Sequence, residues 1–104
     1  MISELYVVDN DLTSLRAKIR QLDEQLLAIV ARRQMLAREI GEFKSAHNLP
    51  IVEEEIEHEI ISSRRSHANQ LGLDENSAEE IIRTLITLSR RLQAQCRKSK
   101  NKGS

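Results

Sequence analysis

An apolar seam running from Leu12 to Phe43 is the strongest constraint on how this chain can fold. Spaced alternately three and four apart are Leu12, Leu15, Ile19, Leu22, Leu26, Ile29, Arg33, Leu36, Ile40 and Phe43, and nine of these ten are apolar. A heptad repeat sustained over that length predicts one long helix that packs along its whole extent. The exception is Arg33, which carries a charge onto the seam. A buried charge without a partner costs several kcal/mol. No acidic residue shares the seam, so the guanidinium must meet a carboxylate from another element or an anionic ligand.

The rest of the composition agrees with packed helices. Tyr6 and Phe43 are the only aromatic residues, so the core must be aliphatic. Three glycines and one proline leave little turn chemistry for an all-β fold, and the fold class expected is all-α. At 104 residues the chain is one domain with a modest core. A formal net charge of zero argues against a nucleic-acid partner. Cys96 is the single cysteine, which excludes an internal disulfide and a cysteine-based zinc site. No run approaches the ~20 apolar residues of a membrane span. The N-terminus lacks the basic and apolar regions of a signal peptide, so a cytoplasmic location is expected.

Three helices are expected, with residues 1–10 as a lead-in, 11–97 as the helical domain and 98–104 as a disordered basic tail. The first helix runs from about Asp11 to His47 and is stopped by His47-Asn48-Leu49-Pro50, because proline disfavours helix at the residue before it. Gly41 within it costs roughly 1 kcal/mol relative to alanine. The second runs from about Glu53 to Gln70, with acidic residues at its start and Gly72 as the stop. The third starts at Asp74, or one turn later where Ser77 and Glu80 form a possible capping box, and ends near Arg97. From Leu12 to Phe43 the first helix would span roughly 48 Å. A compact chain of this size has a diameter of about 34 Å. The economical solution is a homodimer in which two such helices pair about a two-fold axis.

Several polar positions stand out. On the third helix Ile82, Ile86, Ser89 and Gln93 form one stripe, apolar in its first half and polar in its second. Ser89 and Gln93 either face a polar cavity or mark the stripe fraying into solvent. Lys44 follows Arg33 by 11 residues, which brings both to nearly the same face, about 16 Å apart along the axis. Arg16 precedes Arg33 by 17 residues, roughly 25 Å, too far to share a small ligand within one chain. In an antiparallel dimer it reaches the partner's site. Alternatively, Arg16 and Lys44 are the ordinary charges that flank a coiled-coil seam. Glu55 and His58 have the Glu-x-x-His spacing of di-iron bundles, but the seam of the first helix carries none of the further carboxylates that such a site needs. No metal is therefore expected.

The stretch from Leu15 to Lys44, LRAKIRQLDEQLLAIVARRQMLAREIGEFK, resembles the first helix of the all-helical chorismate mutase family. The likeness is carried by Leu15-Arg16, Ile19, Leu22-Asp23, Leu26-Leu27, Arg32-Arg33, Ala37 and Ile40-Gly41 with Lys44. It continues through Leu49-Pro50-Ile51, Glu57, Ser62 to Arg65, the Leu71 to Asp74 turn, and Ser89 with Gln93. It is most similar to the mutase domain of bifunctional chorismate mutase/prephenate dehydrogenases, and no dehydrogenase is expected within these 104 residues. The resemblance implies an intertwined all-helical homodimer that rearranges chorismate, a small dianion, to prephenate without cofactor or metal. It also implies roles. Arg33, and Arg16 supplied by the partner chain, would bind the carboxylates. Lys44 and Gln93 would donate to the ether oxygen, Glu57 would accept from the ring hydroxyl, Ser89 would help hold a carboxylate, and Glu53 would take the place of the family's aspartate.

One position departs from the family pattern. Ile56 stands where the family carries an arginine that organises the site, and no other arginine occurs between Glu39 and Ser63. The expectation is a weakened mutase that Ile56→Arg would improve, unless Ile56 packs in the core with Ile60. Two further readings remain: a mutase or lyase acting on a chorismate relative such as isochorismate or an aminodeoxychorismate, and a purely structural helical dimer.

Overall fold

In the computed structural model the described backbone covers residues 4–103 and the described side chains residues 11–100. The chain forms three helices, α1 (Glu4–Ala46), α2 (Glu54–Gln70) and α3 (Glu75–Gly103), and no strand occurs among the described residues. The all-α expectation holds. Contacts divide the chain into two compact units, Met1–Arg33 and Gln34–Ser104. In the first unit the seam residues Leu12, Leu15, Ile19, Leu22, Leu26 and Ile29 are all exposed. The second unit contains the end of α1 with all of α2 and α3.

Helix boundaries differ from expectation for identifiable reasons. Helix α1 begins at Glu4 rather than Asp11, which absorbs most of the expected lead-in; residues 1–3 lie outside those described. Its C-terminus is set by Asn48 more than by Pro50. Asn48 takes the left-handed conformation (φ 54), while Leu49 N–H donates to Lys44 O at 2.8 Å and Asn48 N–H to Ser45 O at 3.4 Å. This is the paired bonding of a Schellman motif, and asparagine tolerates its left-handed residue better than most. Helix α2 closes in the same way. Gly72 (φ 76) donates to Asn69 O at 3.0 Å and Leu73 N–H to Ala68 O at 2.9 Å.

Helix α3 starts at Glu75, with Asp74 as its cap. The Asp74 carboxylate accepts from Ser77 N–H at 2.9 Å and from Ser77 Oγ at 3.0 Å, so the Ser77–Glu80 capping box is not the start signal. The helix then continues to Gly103, past the expected end at Arg97. The expected disordered tail is helical up to Gly103 because two of its flanking cations find acceptors. Lys100 Nζ donates to Ser45 O, and Arg97 donates to Leu49 O. Ser45 lies in the last turn of α1 and Leu49 in the turn that follows it, where the helix dipole favours positive charge.

An antiparallel hairpin of α2 and α3 is clamped near its turn by Arg65. Its guanidinium donates to Glu79 at 2.8 Å and to Asn76 Oδ1 at 3.1 Å. The end of α1 packs on α3 through small residues. Ala37, Gly41 and Ser45, one turn apart in series, are all buried. A Cβ added at Gly41 would lie 2.9 Å from the Cα of Gln93 and 3.2 Å from Cys96 Sγ. The two backbones meet there, and only glycine fits.

Two outcomes follow from these contacts. Gly41→Ala gains about 1 kcal/mol of helix propensity but drives a methyl into backbone, an overpacking cost of about 1–3 kcal/mol. The melting temperature should fall, by up to about 4–8 °C per net kcal/mol, and a rise in a thermal melt would show that the contact yields freely. The second outcome concerns pH. The backbone N–H and hydroxyl of Ser77 hold the Asp74 carboxyl below its ordinary value. A depressed carboxyl stabilises the fold above its unfolded pKa and loses that contribution as pH falls through the folded value. Asp74→Ala should therefore lower the melting temperature at neutral pH, and the gap from wild type should close on acidification through the carboxylate range.

Candidate functional site

The second unit brings Lys44, Glu53 and Gln93 together. Lys44 lies on the last turn of α1, and its side chain is only 13% exposed. Its ammonium donates to Ile51 O at 2.9 Å and to Gln93 Oε1 at 3.1 Å, and it pairs with Glu53 Oε1 at 3.1 Å. Three N–H donors meet three acceptors. The turn through Asn48 is what returns the chain so that Ile51 and Glu53 reach the ammonium.

Glu53 is the N-cap of α2, yet its side chain makes no capping hydrogen bond. Forgoing that bond costs roughly 1 kcal/mol, since an N-cap oxygen normally satisfies an orphan N–H. The carboxylate is committed to Lys44 instead. Gln93 is buried at 7% exposure. Because lysine offers only donors, the amide must present its oxygen to Lys44, which leaves its NH2 to donate elsewhere. Ser89, one turn earlier on α3 and half-buried, donates to Leu85 O at 3.0 Å. The polar half of the α3 stripe therefore turns inward and does not fray into solvent.

Beside the ammonium lies an open cleft of about 540 Å³ lined by Leu36, Glu39, Ile40, Phe43, Lys44, Leu49 and Glu53. It can hold a small molecule with an apolar wall on one side and a fixed cation on the other. Glu57 lies one turn after Glu53 and is gripped by Arg90 of α3. Arg90 Nε donates to Glu57 Oε2 at 2.9 Å, and a second guanidinium nitrogen donates to Oε1. The hydrogen bond to Glu57 raises the Arg90 pKa above its already high value.

Arg16 and Arg33 belong to the Met1–Arg33 unit, where Arg16 is exposed and Arg33 half-buried. Ile56 is 48% exposed, so it does not pack in the core. Glu55 and His58 are both exposed, and among the described residues no three His, Cys, Asp or Glu side chains gather as a metal-binding group. No described helix is long and apolar enough to cross a membrane.

The contributions of Arg90, Arg97 and Lys100 were not read from the sequence. For Arg90 a signal existed. In an antiparallel hairpin, residues at similar distances before and after the turn face each other, and Glu57 and Arg90 lie at comparable distances from Leu71–Asp74. Arg97 and Lys100 gave no such signal, because a basic C-terminal segment looks the same whether it caps a neighbouring helix or meets water.

Comparison with known proteins points in the same direction. A sequence model of the family described as chorismate mutase type II matches residues 15–94. The chain is 38% identical over 76 residues to the T-protein of Enterobacter agglomerans, covering 73% of this chain and 20% of that protein. It is 32% identical over 84 residues to the chorismate mutase of Methanocaldococcus jannaschii, covering 81% of this chain and 85% of that protein. It is 46% identical over 50 residues to the bifunctional chorismate mutase/prephenate dehydratase of Aquifex aeolicus, covering 48% of this chain and 14% of that protein. The chain thus spans about a fifth of the T-protein's length.

Proposed function

The chain belongs to the chorismate mutase type II family, and on that premise we propose that it catalyses the rearrangement of chorismate to prephenate as a cytoplasmic homodimer. The observation that carries the reading is the Lys44 ammonium, held by Glu53, Ile51 O and Gln93 Oε1 at the wall of a cleft that fits a small molecule.

The reaction is unimolecular. The ether C–O bond breaks while a C–C bond forms through a chair-like transition state, and no nucleophile or proton transfer is required. Two physical contributions remain for the protein. One is to select the conformer in which the two carbon termini meet. The other is to place fixed donors where negative charge grows on the ether oxygen. Lys44 supplies a cation there and the Gln93 NH2 a neutral donor. For Lys44 to donate to the ether oxygen, one of its acceptors must yield. Glu53 is the one able to turn to water, being 38% exposed. Arginine suits the two carboxylates because its planar fork binds them bidentately. By resemblance to the family, Arg33, Arg16 of the partner subunit and the Ser89 hydroxyl would fill that role, and Glu57 would accept from the ring hydroxyl.

The dimer is supported by the exposed seam of α1. Leu12, Leu15, Ile19, Leu22, Leu26 and Ile29 are 41–62% exposed. An apolar stripe of that extent is what a second copy of the same helix would cover.

The direct test mixes purified protein with chorismate, follows loss of the ring-diene absorbance and identifies the product by chromatography. Failure to form prephenate would remove the reading and favour a chorismate relative or a structural dimer. Two further outcomes are expected. Gln93 donates at any ordinary pH, so the wild-type rate should lack an acidic optimum. Gln93→Glu should shift activity toward low pH, since a carboxyl must be protonated to donate. A wild-type rate that climbs about tenfold on acidification from neutrality would contradict this assignment. Separately, mixing inactive Arg16→Ala with inactive Arg33→Ala should recover up to about a quarter of wild-type activity. Half the dimers are then mixed, and each mixed dimer has one intact site. Sedimentation as a monomer at micromolar concentration would rule out the shared site.

A further inference from the structure

We infer that Arg90 is a positioning residue for the reaction: from α3 it grips the Glu57 carboxylate of α2 and fixes the orientation in which Glu57 accepts the substrate hydroxyl. The inference rests on the chorismate mutase reading and adds a residue to it.

Nε and a terminal nitrogen of Arg90 each donate to a different oxygen of Glu57, which is a fork on a fork. A single ion pair leaves a carboxylate free to rotate about its terminal bond; a bidentate one fixes its plane. The Glu57 side chain is only 19% exposed, although Arg90 is 44% exposed. This carboxylate is therefore more enclosed than those of ordinary surface pairs, whose worth is close to nil.

Glu57 lies one turn beyond Glu53, and Arg90 lies between Ser89 and Gln93 on α3. Two ion pairs thus stand on successive turns of α2: Lys44 with Glu53, then Arg90 with Glu57. Helix α2 cannot supply the second cation itself, because no lysine or arginine occurs from Glu53 to Ser63 while Glu53, Glu54, Glu55 and Glu57 crowd its first turn. A dianion approaching that turn meets repulsion unless the carboxylates nearest to it are neutralised. Arg90 neutralises Glu57 and leaves its remaining lone pairs able to accept a hydroxyl. The charge that α2 lacks at Ile56 is delivered across the hairpin.

The competing role is a plain clip between α2 and α3, which would affect stability alone. A double-mutant cycle on the full chain separates the two. Arg90→Ala should lower kcat/KM about tenfold, mostly through KM, because a hydroxyl contact made equally in substrate and transition state acts on binding. Glu57→Gln keeps an acceptor oxygen but removes the charge that Arg90 grips. In that background Arg90→Ala should cost little more, less than about twofold in kcat/KM. Arg90→Lys keeps the charge without the fork and should fall between wild type and Arg90→Ala. An undiminished loss in the Glu57→Gln background would overturn the inference by showing that Arg90 acts without Glu57. A lower melting temperature with unchanged kcat/KM would overturn it in favour of the clip. An inactive wild type would instead remove the reading on which it rests, so the two failures are told apart by the first measurement.

Discussion

The link between Lys44 and α3 depends on the close approach of two helix backbones at Gly41. The position of a Cβ at Gly41 lies within 3 Å of the Gln93 Cα, so any side chain there would push α3 away. With the helices in contact, Gln93 is buried and its amide oxygen reaches the Lys44 ammonium. A shift of 1 Å at that crossing would break a hydrogen bond that is 3.1 Å long. The glycine that is unfavourable to an isolated α1 is therefore what allows α1 to present Lys44 to α3. Local propensity is sacrificed for a contact that places a cation within the cleft.

The second dependence is electrostatic. The start of α2 concentrates carboxylates, which suits a helix N-terminus. It does not suit a surface proposed to receive an anion. The conflict is resolved by cations from the neighbouring helices, Lys44 from α1 onto Glu53 and Arg90 from α3 onto Glu57. Each pair also ties α2 to another element, so neutralisation and orientation come from the same contacts.

The helices are legible in the sequence because each rests on a local signal, and so are Lys44, Glu53 and Gln93, which the fold brings together. The alternation of three and four residues from Leu12 to Phe43 gives α1, and Gly72 gives the end of α2. The polar break in the α3 stripe at Ser89 and Gln93 marks inward-facing groups. What the sequence left open has a separate physical origin in each case. The start of α3 was ambiguous because Asp74 and Ser77 both favour caps, and the choice follows from Asp74 accepting both Ser77 donors. The helical run past Arg97 was missed because Arg97 and Lys100 are held by acceptors about fifty residues away. Arg90 was missed because a cation on the flank of a helix has the same local sequence whether it meets water or Glu57.

The basic end of α3 has a consequence for how the chain assembles. The links from α3 to the end of α1 join residues 49, 48 and 55 positions apart, in Lys44 with Gln93, Leu49 with Arg97 and Ser45 with Lys100. The α2–α3 hairpin closes over far shorter separations, such as Arg65 with Glu79 at 14. Closing a longer loop costs more entropy before any contact rewards it. The hairpin is thus the natural early structure, and the end of α1 docks onto it last. The Lys44–Gln93 contact then forms only once α3 has met the end of α1. During synthesis Lys44 therefore waits for its third acceptor until α3 has left the ribosome through Gln93.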